Sequence, residues 1–291
     1  MSHPPDPTTR HLVFDIDGVL AAPIDIQIER TLARCRGALG DEFIAQHKFE
    51  VGDCPHLVFP GVFALLRFAR AHGLRLHVFR SGLADRNKEL IDKILARAFP
   101  DPSGRPEVPI FSRRDCIDTS RFDLRGRDEK PRSAPSAEEE ELQGLWWGQR
   151  KKRLAGVVVR PEEIGNTVFV EDDSTYVAGG EERNAIVVRD VLDYYPYRAE
   201  SGEGFGAFHK AYYLAALLDD ILSRADALDL SLAEAAVQMQ ITDLGQILDH
   251  HYPFQASIER VELYERGLGL LRRDDPSLRL HFDPPGPDGH W

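Results

Sequence analysis

Four residues, HLVF at 11–14, form an apolar run that halts on Asp15-Ile16-Asp17-Gly18, and the same arrangement returns at TVFVEDD, residues 167–173. Such a run is too short for a core helix and, with Val and Phe in it, reads as a buried strand feeding a loop. Between the two the pattern alternates. Pro60 opens GVFALLRFARAHG, whose Phe63, Leu66, Phe68 and Ala69 suit one helical face, so a helix is expected over 61–72 with Gly73 as its stop. Residues 74–79 alternate large apolar side chains and read as a strand, 83–99 carry Leu, Ile and Ala at helical spacing, and 167–170 and 185–188 are further strands. Strands separated by helices imply an α/β fold, a parallel sheet with helices on both faces.

The rest of the chain sets the limits of that fold. With 291 residues, 42% of them hydrophobic, there is enough chain for a full core and a smaller appendage. The prolines of 1–9 and of 282–291 cannot build packed elements, so both are expected to be tails around a sheet domain at 10–205. Inside that domain 112–153 is rich in charge and proline, holds the acidic run 138–141 and lacks periodicity, which marks an insertion or long loop. From 206 to 281 the pattern turns amphipathic and strand-free, a C-terminal helical extension. A formal charge of −12 repels nucleic acid over most of the surface and leaves only a local basic patch to bind it. The three cysteines are far apart and form no CxxC pair, so neither a disulfide framework nor a zinc ribbon is indicated. No run approaches the roughly 20 apolar residues of a membrane span, and the first ten residues lack a signal-peptide core. The expected compartment is the cytoplasm.

At the end of a strand in an open parallel sheet, acids stand at the ligand-binding edge. Asp15 and Asp17 can divide labour there, one attacking as a nucleophile and the other moving protons, with Gly18 permitting the tight backbone. A calcium loop also begins with such a pattern, but its oxygen ligands at positions five and twelve are here Val19 and Ile26. The second cluster, Glu171-Asp172-Asp173, ends the apolar run TVFV; if the two strands are parallel neighbours, their acids converge into an oxygen-rich site suited to Mg²⁺. Ser81-Gly82 ends the run LRLHVF after Arg80, and the helix behind it aims its N–H groups at whatever Ser81 binds, an arrangement suited to a phosphoryl oxygen. Taken alone, Ser81 is a helix cap.

Three other features carry less. The glycines of SGEGFGAF miss dinucleotide spacing. His250 and His251 point in different directions on a helix. Trp146 and Trp147 beside Arg150, Lys151 and Arg153 form an aromatic-basic patch, better explained by packing of the insertion than by nucleic-acid binding.

LVFDIDGVL, HVFRS and TVFVEDD, in this order, resemble the first, second and fourth motifs of the haloacid dehalogenase superfamily, over about residues 10–190. FPGVFALLRFARAHGLRLHVFRSGLADRN, VFVEDDSTYV and NAIVVRD look most like its group named for the NLI-interacting factor and the RNA polymerase C-terminal-domain phosphatases. The resemblance implies a Rossmann-like sheet with a small cap or none, and a Mg²⁺-dependent phosphatase. In it Asp15 is the nucleophile, Asp17 the acid and base, and Ser81 with Gly82 the phosphate binders. The metal is held by Asp15, Asp172 and a carbonyl near Asp17, with Glu171 or Asp173 as the alternative to Asp172 should the alignment slip by one. The third-motif lysine lies among Lys130, Lys151 and Lys152; KKRL before the acidic strand resembles the family's segment and favours Lys152. Glu171 departs from the family, where a small or apolar residue is usual. With only about forty residues between Leu20 and Pro60, no large lid is expected, which favours a phosphate on a macromolecule such as a phosphoprotein. The rivals are a nucleotide or nucleic-acid-end phosphatase, and a non-catalytic scaffold on the same fold.

Overall fold

Strand β1 (His11–Phe14) is buried along its whole length; a strand without polar alternation needs cover on both faces. The computed structural model describes residues 9–24, 40–52, 54–80, 82, 84–118, 150–188, 203–243 and 258–282. After β1 come β2 (Ala21–Pro23), α1 (Asp41–His47), β3 (Lys48–Phe49), β4 (His56–Val58), α2 (Val62–Ala71), β5 (Arg75–Phe79) and α3 (Ala84–Ala98). Then follow β6 (Ile110–Phe111), β7 (Ile117–Asp118), β8 (Arg150–Lys151), β9 (Thr167–Glu171) and β10 (Ala185–Val187). Helices α4 (Glu203–Leu228), α5 (Leu232–Asp243) and α6 (Ile258–Arg272) come last.

The central sheet has the order β10-β9-β1-β5-β6, with every pair parallel. Thus the α/β expectation holds, and β6 is a fifth strand that its two residues had hidden. From β1 the chain steps to β5 and β6 on one side, then crosses back to β9 and β10 on the other. The order therefore reverses beside β1, and a parallel sheet opens its binding crevice at such a reversal. Phe14 pairs with Val78 on one side and Val170 on the other, so Asp15 and Glu171 leave the sheet at the same level.

Alternate strand residues face opposite layers. Leu12, Phe14, Leu76, Val78, Val168, Val170 and Ile186 join one core with the buried residues of α2, α3, α4 and α5. On the other face Val13, Phe79, Phe169 and Ala185 pack with Leu154 and Val177. Among the described residues that face is covered by Cys116, the turn at 154–159, Ile164 and Val177. Helix α4 carries Tyr212, Leu214, Leu217, Leu218 and Ile221 into the same core as β1, so the C-terminal helices share the sheet's hydrophobic core. Each such buried Leu or Ile contributes roughly 1.5–3 kcal/mol over leaving it in water. Residues 21–58 add the small antiparallel sheet β2-β4-β3 with α1 beside it. Most of the expected insertion, 119–149, lies outside the described residues. No helix among the described residues is long and apolar enough to cross a membrane.

Two imidazoles sit in the second face. His11 Nδ1 and His77 Nε2 are 3.0 Å apart, and both rings are almost wholly buried. Burial brings the His77 pKa down to about 3, helped by His11 and Arg75 and opposed by Glu163. Burial also lowers His11. The ordinary value is 6.5, so below that pH the unfolded chain takes up protons that the folded pair refuses. Stability present above pH 6.5 is therefore lost as pH falls toward 3, by up to about 1.4 kcal/mol per pH unit for His77. Thermal unfolding followed from about pH 7 to about pH 5 should show Tm falling, and His77→Leu should flatten that fall. An identical acid slope in the variant would contradict the assignment.

Candidate active site

The loop after β1 is wound around one carbonyl. Ile16 O accepts from the N–H groups of Val19, Leu20 and Ala21 at 3.3, 2.9 and 2.9 Å, and Gly18 N–H donates to Ala21 O at 2.9 Å. Ile16 is itself buried, which anchors the turn in the core. Asp15 N–H still bonds Val170 O at 2.9 Å, as though the strand continued; its carboxylate is therefore aimed as rigidly as a sheet residue. Gly18 has φ +70°, and a Cβ there would lie 2.0 Å from Asp172 Oδ2. Glycine is required twice over, for the left-handed backbone and for the close approach of the Asp172 carboxylate.

Beneath this loop lies a buried cation shared by two acids. Lys152 Nζ donates to Asp15 Oδ1 and to Glu171 Oε2, each at 2.6 Å, and Lys152, Asp15 and Glu171 are all buried. The lysine backbone is pinned by Lys152 N–H to Tyr176 O at 2.6 Å and Ala178 N–H to Lys152 O at 3.2 Å. Its ammonium lies 5.1 Å from the Tyr176 ring centroid and 5.7 Å from that of Phe169. Burial works against this charge, but Asp15 and then Glu171 outweigh it and hold the Lys152 pKa above the usual lysine range. Glu171 is pushed the other way from an ordinary carboxylate, up to about 7, first by burial and then by the Asp15 charge, against the pull of Lys152. One ammonium cannot neutralise two carboxylates in so dry a place.

Asp15, Glu171 and Asp172 can each place a carboxylate oxygen within 4.8 Å of the other two. An all-oxygen set at this spacing fits a hard cation such as Mg²⁺. Two of the expected metal ligands, Asp15 and Asp172, thus come together, and Glu171 joins them. Asp173 turns to Thr175 N–H at 2.8 Å, closing a turn. The Asp17 carboxylate, partly exposed, is engaged by the Arg80 guanidinium. Among the described residues its Oδ1 has no hydrogen-bond partner, and His56 Nε2 lies 4.0 Å from it. His56 Nδ1 sits 2.9 Å from Cys54 O, so that nitrogen carries the proton and Nε2 presents a lone pair.

Of the three lysines weighed from sequence, Lys152 reaches Asp15, Lys151 donates to the Thr175 carbonyl, and Lys130 lies outside the described residues. Ser81 also lies outside them, as do Trp146 and Trp147; Gly82 stands beside the Arg80 side chain, at the head of α3.

Two buried cations were not anticipated. Arg80 follows directly on β5, is 3% exposed, and donates from Nη1 to Asn87 Oδ1 at 3.1 Å. Lys210 of α4 is 1% exposed; it donates to the Gly18 carbonyl, with its ammonium 4.5 Å from the Phe59 ring centroid. Helix α4 departs from helical geometry at His209, one residue earlier (φ −96°, ψ 15°). In sequence the only signs were a charge at the last position of an apolar run and a lysine inside FHKAYYLAALL.

No family model matches the chain, and no curated protein matches it. Among the solved structures similar to it are two of one protein. One is the fission yeast RNA polymerase II CTD phosphatase Fcp1 in a variant bound to beryllium fluoride, at 14% identity and TM-score 0.36, with 92% of this chain and 64% of that one covered. The other is Fcp1, described as an essential RNA polymerase II CTD phosphatase, at 16% identity and TM-score 0.34, with 92% and 63% covered. This chain therefore spans less than two thirds of either.

Proposed function

We propose that this protein is a Mg²⁺-dependent phosphatase that hydrolyses a phosphomonoester through a phosphorylated Asp15. The observation that carries the reading is Asp15 itself: a buried carboxylate at the mouth of a parallel sheet, held by the Lys152 ammonium at 2.6 Å and flanked by Glu171 and Asp172. A structural acid has no need of that company, whereas a carboxylate that must approach a phosphate dianion needs positive charge beside it. Asp15, Asp172 and Glu171 would hold a Mg²⁺, which would supply further positive charge against the phosphoryl oxygens.

The protein groups then divide the work. An Asp15 oxygen attacks phosphorus in line as the bond to the leaving oxygen breaks, and Asp17 gives that oxygen its proton. Lys152 offsets the charge that gathers on the transferred group. In the second half a water attacks the aspartyl-phosphate, Asp17 takes its proton, and inorganic phosphate departs with Asp15 restored. Asp17 suits this double duty because it is about a third exposed and one of its oxygens is uncommitted.

The substrate we propose is a phosphate carried on a macromolecule, a phosphoprotein first, because the described chain between β1 and α2 forms only three short strands and one short helix. Purified protein should release phosphate from p-nitrophenyl phosphate with Mg²⁺ and stop with EDTA. A phosphopeptide should be turned over with higher kcat/KM than a free sugar phosphate. Activity undiminished by EDTA would remove the metal, and preference for the sugar phosphate would remove the macromolecular substrate.

A further inference from the structure

We propose that Arg80 is the cation that receives the substrate's phosphoryl oxygens, and that Asp17 occupies the guanidinium until the phosphate arrives. This rests on the phosphatase reading and adds to it a substrate-binding residue and the order in which the site is filled.

The argument starts from cost. A guanidinium that is 3% exposed has given up almost all of its water, and burial, with Arg86 nearby, lowers its pKa to about 10. It remains charged at neutral pH, and Asp15 and Asp172 favour that charge. Arg80 therefore meets three of the site's four acids: Asp17 by direct contact, Asp15 and Asp172 through their fields. A structural role for so costly a charge would call for permanent partners. Among the described residues one is lodged in the fold, Asn87 on α3, fully buried, whose Oδ1 takes Nη1 at 3.1 Å. This fixes the plane of the fork. The other partner is the carboxylate the reaction needs.

While Arg80 clasps it, the Asp17 oxygen is turned to the guanidinium and not toward a leaving oxygen. The Arg80–Asp17 contact must therefore open during turnover. A phosphomonoester offers two negative charges and three oxygens in a geometry that a planar fork matches, so exchange of Asp17 for phosphate costs Arg80 no ion pair. It releases the acid at the moment when a leaving oxygen is present to be protonated. Without substrate, the same contact keeps Asp17 from misfiring and neutralises Arg80.

The test uses the full chain with Mg²⁺ and inorganic phosphate as the probe, its affinity measured by calorimetry alongside turnover of p-nitrophenyl phosphate. Arg80→Ala should weaken phosphate binding and lower kcat/KM by about 10²-fold, and millimolar guanidinium should restore part of the turnover. Thermal unfolding reports whether the variant is folded. If it is not, Asn87→Ala decides: loss of the acceptor that aligns the fork should cost about tenfold in phosphate affinity. A folded Arg80→Ala that binds phosphate like the wild type, an Asn87→Ala that does so, or a failure of guanidinium to restore turnover overturns the proposal while wild-type turnover leaves the phosphatase reading standing. A wild-type protein that neither turns over nor binds phosphate overturns both.

Discussion

Asp15→Asn is expected to lose turnover by a factor on the order of 10⁴ or more. The amide has the size and shape of the carboxylate but no oxygen nucleophilic enough to attack phosphorus, so neither half of the reaction begins. The fold should survive. Asp15 N–H still has Val170 O to bond, and Lys152 keeps Glu171 as its counter-charge at 2.6 Å. Burial is the main cause of the upward shift of Glu171, and removing one of two acids that share a single ammonium also relieves the Asp15 repulsion that adds to it. Tm should therefore stay within a few degrees of the wild type while activity vanishes. Asp17→Asn divides the steps differently: attack remains possible and the base for the second step is gone, so phosphoenzyme should build up. Acid quenching followed by mass spectrometry of the peptide holding Asp15 would reveal it. Substantial turnover by Asp15→Asn, or a phosphoryl group found on another peptide, would remove Asp15 as the nucleophile.

What could be read from sequence was what repeats locally. Helix α2 is announced by its apolar spacing between Pro60 and Gly73, and β1 and β9 by unbroken apolar runs that stop on acids. Strand β6 has only two residues and no period to show. In the site, Asp15 and Asp172 are legible because they end such runs. Arg80 and Lys210 are not, because what makes them site residues is burial and a distant partner. Lys210 meets Gly18 across 192 positions, Arg80 meets Asp17 across 63, and Lys152 meets Asp15 across 137. A lysine within an apolar helix reads as its solvent-facing position; only packing reveals that α4 turns it into the core, after the break at His209. Glu171 looked like a departure from the family pattern with no role attached. Its position opposite Lys152, level with Asp15 across the β1–β9 pair, is a matter of register, which no single strand can display.

Lys152→Met should lower kcat by about 10³-fold and, unlike Asp15→Asn, should also destabilise the protein. The two effects have one origin. Removing the ammonium leaves Asp15 and Glu171 buried side by side without a counter-charge, and breaking a buried ion pair from one side costs about 3–5 kcal/mol. Part of that is recovered as Glu171 takes up a proton, which its pKa of about 7 already favours. Activity has no such relief, because the Asp15 carboxylate must then approach a phosphate dianion with its nearest positive charge gone. Adding Glu171→Leu to Lys152→Met fills the same space with apolar groups and removes the stranded acid. The double variant should regain most of the lost Tm and none of the lost kcat, and that separation distinguishes a charge used in chemistry from one used only to hold the fold. Lys151→Met is the matched control: among the described residues its ammonium reaches the Thr175 carbonyl, so Tm and kcat should both stay near the wild type. Were Lys152→Met to keep its kcat while Lys130→Met lost it, the third-motif lysine would be Lys130, and the ammonium beneath Asp15 would be a structural counter-ion alone.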